Sequence, residues 1–166
     1  LNKLLNYPES SAGSLMTPEY VRLRKEMTVS QAFEAIRKQG ENAETVYTCY
    51  VVERNRLMGV VSARSLLLAE PHTPIAEIMD DNVVTVKVTD DQEYVAREMQ
   101  RYDFTAMPVL DNEGMFVGII TIDDAIDVLT DESTEDMQKM AAILPDDDAT
   151  TYFGTSVWTH AKQRIP

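Results

Sequence analysis

The alternation of apolar and polar residues predicts short strands and amphipathic helices that occur in one order twice along the chain. In the first half, residues 20–24 alternate as a half-buried strand, and residues 29–36 carry apolar side chains at helical spacing. Thr28 and Gln31 form the capping-box pattern that begins such a helix. Two strands and a short helix complete this half, at residues 48–53, 57–62 and 63–69.

The second half repeats this order. A strand is predicted at residues 83–87, followed by a helix that Asp90 or Asp91 caps. Strands at residues 106–110 and 115–121 flank a turn that ends at Gly114, where a positive φ is expected. A further helix begins after Thr121, with Ile122, Ala125, Ile126 and Leu129 on its apolar side.

The two halves also share short motifs. Leu15-Met16-Thr17 corresponds to Ile78-Met79-Asp80, and Gly59-Val60-Val61-Ser62 corresponds to Gly118-Ile119-Ile120-Thr121. A repeated motif and a repeated order of elements together indicate an internal duplication. The sequence therefore predicts an α+β fold of two tandem β-α-β-β-α units that pack as a pair.

Composition and charge narrow the class of protein. Apolar residues make up 44% of the 166 residues, which is typical of a soluble globular protein. The net charge is −13, and residues 80–148 carry the excess, with nineteen acids against four bases. Such a surface repels phosphate backbones and favours cations or a basic partner, so we expect no nucleic-acid partner.

Few residues suit catalysis. Cys49, the single cysteine, lies in an apolar strand, so we expect a buried thiol and neither a disulfide nor a cysteine-rich zinc site. His72 and His160 are far apart and lack zinc spacing, and no glycine-rich phosphate loop is present. No apolar run approaches the roughly 18 residues of a membrane span. The sequence favours a binding or regulatory role over an enzyme.

The densest charge follows Thr121. From there to Asp148 the chain carries ten acids against one base, Lys139. Glu132, Glu135 and Asp136 have the spacing i, i+3, i+4, which places them on one face of a helix. Two carboxylates about 6 Å apart repel by roughly 3 kcal/mol at an effective dielectric constant near 20. Bound cations are the expected counter-charge, and a solvated acidic surface is the simpler alternative.

The duplicated unit, with its leading apolar-Met pair and its Gly-apolar-apolar-Ser/Thr motif, resembles the CBS domain. Its flanks are similar to MgtE-type magnesium transporters at residues 7–18 and 134–140 and in the tail that contains Trp158. The resemblance implies a homodimeric, non-enzymatic regulatory fragment, itself soluble, at the cytoplasmic face of the membrane. The full-length protein would continue into its own transmembrane domain. The implied segments are the end of a preceding domain with a linker (1–13), a first CBS domain (14–74), a second CBS domain (75–132) and a connecting, or plug, helix (133–166).

The same resemblance implies a set of Mg2+ ligands. Mg2+ prefers hard oxygen ligands and keeps several waters, which suits scattered carboxylates at a subunit or domain seam. Ion binding would shift the population toward a closed dimer. The positions that match the ligands of the family are Asp91, Glu93, Asp103, Asp124, Glu132, Glu135 and Asp136, with the backbone carbonyl of Gln100.

An adenine nucleotide such as ATP is the second candidate ligand. The resemblance to CBS pairs also implies a Ser/Thr-x-x-Asp motif that holds phosphate and ribose. Thr121 and Asp124 of the second copy match this motif. In the first copy Ser65 replaces the Asp. The candidate nucleotide residues are Tyr47, Ser62, Arg64, Phe104, Thr121 and Asp124. Two alternatives remain open: a nucleotide-sensing module that regulates another protein, and a purely structural dimerisation domain.

Overall fold

The computed structural model describes residues 7–143 and gives no side chains at positions 132, 133, 135, 136, 142 and 143. The predicted parts at residues 1–6 and 144–166, including the tail with Trp158, lie outside the described residues. The elements run in the order α1 (Ala12–Leu15), β1 (Arg22–Leu23), α2 (Val29–Gln39), β2 (Thr48–Glu53), β3 (Arg56–Ser62), α3 (Ala63–Leu68), α4 (Ile75–Ile78), β4 (Val86–Lys87), α5 (Gln92–Tyr102), β5 (Ala106–Leu110), β6 (Phe116–Thr121) and α6 (Ile122–Ile143).

Between residues 7 and 143 the strands form two three-stranded sheets, in the orders β1-β2-β3 and β4-β5-β6. In each sheet the first strand is parallel to the second, and the second is antiparallel to the third. The predicted α+β fold of two β-α-β-β-α units is confirmed. The first strand of each unit is shorter than the alternation predicts. In the first unit Tyr20 packs on Phe116, with 4.5 Å between ring centroids, and does not continue β1.

Local sequence sets where the long helices begin. The Gln31 N–H donates to Thr28 Oγ1, and the Thr28 N–H donates to the Gln31 side-chain oxygen, which confirms the capping box of α2. Asp91, and not Asp90, is the N-cap of α5. Its carboxylate accepts from the N–H groups of the two residues at positions 93 and 94, at 3.1 and 3.4 Å.

The sheets face each other across an apolar layer. Tyr50 and Val52 of β2 pack with Phe116 and Ile119 of β6, and all four are buried. The opposite face of β2 buries Cys49 in a second cluster, beneath α2. Both copies are thus held by one inter-sheet core.

Each copy is completed by the segment that leads into the other. Thr17, ahead of β1, exchanges two backbone hydrogen bonds with Ile119 in β6, at 2.8 and 2.9 Å. Asp80, ahead of β4, exchanges two with Val60 in β3, also at 2.8 and 2.9 Å. The leading segments therefore cross over, and the two crossings are related by the duplication.

The repeated glycines mark these crossings. A Cβ at Gly118 would lie 2.9 Å from the Thr17 carbonyl oxygen and 3.1 Å from the sulfur of the preceding methionine. A Cβ at Gly59 would lie equally close to the Asp80 carbonyl oxygen and to the methionine before it. Glycine is required because the approaching backbone leaves no room for a side chain. This contact explains why the Met and Gly motifs occur together in both halves.

The compact unit that contains both copies ends at Val128, and a second unit begins at Leu129, within α6. A helix with the length and apolarity to cross a bilayer is not found between residues 7 and 143.

Candidate functional site

A cavity of about 260 Å³ lies between the two copies. One wall comes from β2 and β3, where Thr48 is paired with Ser62 and Tyr50 with Val60. Directly paired residues of antiparallel strands share a face, and the two-residue period of a strand puts all four on the same side. The remaining wall comes from residues 80 and 82–84, from residues 103–105 just after α5, and from the start of β5.

The polar groups of the cavity lining are acidic or neutral. Asp80 and Asp103 are the charged residues in the described lining, which contains no Lys or Arg. Thr48, Ser62 and Asn82 add hydroxyl and amide groups. The cavity therefore suits an uncharged polar or aromatic group, and a phosphate would need a counter-charge from outside the lining.

Of the candidate nucleotide residues, the structure brings Ser62 and Phe104 together in the lining of this cavity, one from each wall. The Ser62 hydroxyl is the N-cap of α3: it accepts from the Ser65 N–H at 3.1 Å and donates to Ser65 Oγ at 3.0 Å. Phe104 stacks on Tyr102, with centroids 5.4 Å apart and planes 15° from parallel. An aromatic face is therefore held in place beside the cavity.

The other four candidates lie outside the described lining. Tyr47 is 72% exposed, and Arg64 is exposed on α3. Thr121 is buried at the end of β6 and donates to Asp124 Oδ2 at 3.3 Å. The two side chains of the motif in the second copy thus form a hydrogen bond with each other.

The candidate magnesium ligands of α5 occupy its two ends. Asp91 caps the start, and Glu93 forms an ion pair with Arg97 in the first turn. Gln100 and Asp103 lie at the other end, which a rise of 1.5 Å per residue places about 18 Å from Asp91. One ion cannot reach both ends, so these residues would serve separate sites.

Asp103 has a left-handed backbone, with φ 57° and ψ 41°, where Asp is more easily accommodated than most residues. Its N–H donates to the Gln100 carbonyl at 3.3 Å, which leaves that oxygen a second lone pair. The side chain of Asp103 is exposed and also belongs to the cavity lining. Asp103 therefore places a carboxylate at the cavity, and the Gln100 carbonyl three residues earlier keeps acceptor capacity.

The remaining candidate ligands are on α6. Asp124 is half-buried in its first turn, whereas the side chains of Glu132, Glu135 and Asp136 lie outside what the structure describes. Within the described side chains, no three His, Cys, Asp or Glu residues converge on a point that could hold a metal ion. Carboxylates offered in ones and twos still fit Mg2+, which retains waters and is often held by one or two protein carboxylates.

Most residues of the cavity lining were not among the sequence candidates, and three of these are Asp80, Asn82 and Tyr50. Asp80 and Asn82 reach it because the segment before β4 crosses to the first copy, and Tyr50 reaches it from the central strand β2. For Asp80 the sequence did carry a signal, because this residue corresponds to Thr17 in the duplicated motif. For Tyr50 the sequence carried no signal, because the alternation of β2 does not show which of its faces meets the second copy.

Comparison with known proteins adds to this geometry. The CBS domain family matches residues 12–72 and 75–131. The magnesium transporter MgtE of Thermus thermophilus is 52% identical over 145 residues, which cover 86% of this chain and 32% of that protein. The magnesium transporter MgtE of Bacillus subtilis is 40% identical over 164 residues, which cover 98% of this chain and 36% of that protein. The chain spans about a third of the length of these curated relatives.

A solved structure is similar as well. The crystal structure of the cytosolic domain of the Mg2+ channel MgtE in complex with ATP has a TM-score of 0.74 and 51% sequence identity to this chain. The match covers 76% of this chain and 52% of that one. The predicted resemblance to a CBS pair of the MgtE type is confirmed. With its two matched repeats and their shared inter-sheet core, the chain belongs to the CBS domain family.

Proposed function

We propose that the chain is the Mg2+-sensing regulatory region of an MgtE-type magnesium transporter and has no catalytic role. The observation that carries this proposal is the acidic second half, whose carboxylates occupy both ends of α5 and the first turn of α6. The identity to two MgtE transporters supports it. In the full-length protein the chain would connect to its own transmembrane domain and lie at the cytoplasmic face of the membrane.

The proposed mechanism is electrostatic and needs a second copy of the chain. Among the described side chains no carboxylates converge on a metal site within one chain. We therefore propose a homodimer in which the acids of two chains, or of an adjoining domain, approach one another. Like charges at such a seam favour an open arrangement. Neutralisation of these carboxylates by bound Mg2+ shifts the population toward the closed arrangement, to the extent that the closed state binds the ion more tightly.

The test pairs a loss of predicted ligands with a charge-matched control. We expect Asp124→Ala with Glu135→Ala to weaken the Mg2+-dependent protection of the chain from limited proteolysis, because ligands at the seam are removed. The control is Asp123→Ala with Asp131→Ala, which removes two exposed acids outside the predicted ligand set and equals the first pair in charge. Equal protection of the two double variants would contradict the ligand assignment.

Adenine-nucleotide binding is the second candidate function. The cavity between the copies, with Ser62 and Phe104 on its wall, favours it. So does the similarity to an MgtE cytosolic domain that was crystallised with ATP. Arg64, exposed on α3 next to Ser62, is the proposed counter-charge for the phosphates, since the described lining lacks a base.

Isothermal titration of the chain with Mg2+, Ca2+ and ATP separates the candidates. The magnesium proposal predicts compaction with Mg2+, seen by solution scattering. ATP binding without an effect of Mg2+ on compaction would favour a nucleotide-sensing module that regulates another protein. Indifference to all three ligands would indicate a structural dimerisation domain.

A further inference from the structure

A second cavity, of about 450 Å³, lies between the end of β1 and the turn that joins β2 to β3. Its described lining carries four bases, Arg22, Arg24, Lys25 and Arg54, against two acids, Glu26 and Glu53. The whole chain has a net charge of −13, so this lining departs in sign from the rest of the molecule. Strand β2 separates it from the first cavity, since a rise of about 3.3 Å per residue puts Arg54 about 20 Å beyond Thr48.

Arg54 has a backbone conformation that arginine rarely adopts. With Asn55 it forms the two-residue turn of the β2-β3 hairpin, and the two residues have φ 51° and 65°. Glycine, asparagine and aspartate favour such positions, and the corresponding turn of the second copy has Gly114 at its positive φ. An arginine at this position costs stability, and backbone strain of this kind is concentrated at functional sites.

The turn is also fixed in position by the second copy. The Phe116 N–H donates to the Asn55 carbonyl at 2.8 Å. The side chain of Arg54 is exposed, and among residues 7–143 its guanidinium has neither a hydrogen bond nor an ion pair. An unpaired cation is therefore held beside the cavity on an anchored backbone.

Two further arginines of the lining keep donors free. Arg22 donates through one nitrogen to the Tyr20 hydroxyl, at 2.9 Å. Arg24 has Glu26 at 4.0 Å, which is the outer limit of an ion pair. A guanidinium has five N–H donors, so most donors of both arginines remain available to a ligand.

These donors select a phosphate group. Lys25 and Glu53 pair at 3.4 Å and offset each other, which leaves three arginines against Glu26. A planar guanidinium matches the oxygens of phosphate with parallel hydrogen bonds, and a group with two negative charges can accept from several of them. The net charge of −13 opposes approach to an anionic membrane, so a small soluble ion is the better fit.

We propose that Arg22, Arg24 and Arg54 form a binding site for a small soluble anion of the phosphate class. The site is separate from the cavity between the two copies and from the candidate magnesium ligands. It therefore stands or falls independently of the functions proposed above.

The test is titration of the 166-residue chain with inorganic pyrophosphate, followed by calorimetry and phosphorus NMR. A metal-free buffer of low ionic strength keeps pyrophosphate from binding through Mg2+ on the carboxylates. Arg54→Gly removes the guanidinium and gives the turn the residue that its φ favours. We expect about tenfold weaker binding, as for the loss of one charged hydrogen bond. The melting temperature without ligand should equal or exceed that of the wild type, because the strain is relieved.

Arg37→Ala is the matched control. Arg37 is exposed on α2, lies outside the described lining, and its removal changes the net charge by the same amount. Its affinity for pyrophosphate should be that of the wild type. Arg24→Gln, which leaves the turn unchanged, should weaken binding as Arg54→Gly does.

Absence of saturable pyrophosphate binding to the wild type would overturn the proposal. So would equal affinities of Arg54→Gly and Arg37→Ala, since a general effect of charge would then explain any loss. Binding to vesicles of phosphatidylcholine and phosphatidic acid, without binding of pyrophosphate, would assign the bases to a membrane surface instead. A melting temperature of Arg54→Gly well below that of the wild type would also count against the site, because Arg54 would then serve the fold.

Discussion

Cys49 and Tyr50 are neighbours on the central strand β2, lie on opposite faces of its sheet, and are both fully buried. Burial was predictable for Cys49, which sits in an apolar run. For Tyr50 it was not, because a tyrosine in an alternating strand packs equally well at a surface or between sheets. Which face of β2 meets the second copy is decided by tertiary packing.

The thiol of Cys49 should be inert in the native protein. Desolvation by burial raises its pKa from 9.0 to about 12, and the thiolate is the reactive form. We expect no measurable alkylation at neutral or mildly alkaline pH until the chain is unfolded by denaturant. Rapid alkylation of the native chain, assayed by mass spectrometry against the denatured sample as control, would contradict the burial of this thiol.

The raised pKa of Cys49 also predicts that stability falls at high pH. The folded state holds the Cys49 proton more tightly than the unfolded state, so this contribution to stability is complete below pH 9.0 and is lost as the pH rises toward about 12. Tyr50, whose pKa burial also raises, acts in the same direction. The midpoint of denaturant unfolding should fall across this interval.

At the scale of elements, helix starts were predictable and strand lengths were not. Caps are local: Thr28 and Gln31 need only each other, and Asp91 needs the next three residues. The length of β1 depends instead on Tyr20 packing against a ring of the other copy. The edge of β1 is also closed by tertiary contact, since the Gln39 side chain both donates to and accepts from the Arg22 backbone, at 3.0 and 2.8 Å.

The capping box of α2 gives a measurable prediction. Thr28→Ala leaves the Gln31 N–H without its acceptor and should lower the free energy of unfolding by about 1 kcal/mol. Ser30→Ala, at an exposed position in the same turn, is the control and should change little. Chemical denaturation of the three proteins makes the comparison. Equal losses in the two variants would show that propensity, and not the cap, governs this helix.

At the scale of the whole molecule, the duplication was predictable from the sequence, but the crossing of the leading segments was not. The repeated motifs indicate two similar units, but they do not show which unit each methionine packs against. The cavity follows from the crossing, because Asp80 and Asn82 reach the first copy with the segment that leads into the second. Sequence reasoning therefore identified Ser62 and Phe104 and missed the residues brought by the exchanged segment.

Gly118→Ala tests this crossing. A methyl group 2.9 Å from the Thr17 carbonyl forces the leading segment away, and we expect a loss of about 1–3 kcal/mol in the free energy of unfolding. Adding Met16→Ala removes the crowding sulfur but not the carbonyl, so the double variant should stay destabilised. Wild-type stability of Gly118→Ala in a denaturant titration would show that the segments do not cross as described.

The crossing also governs how the chain is assembled during synthesis. Thr17 leaves the ribosome about a hundred residues before its partner Ile119, and contacts of such separation form late and slow the rate of folding. The first copy cannot close until the segment around Asp80 has been made, and the second cannot close without a segment that was made at the outset. A solenoid of repeats folds by adding one neighbour at a time. These two repeats are instead expected to fold together, in a single cooperative step.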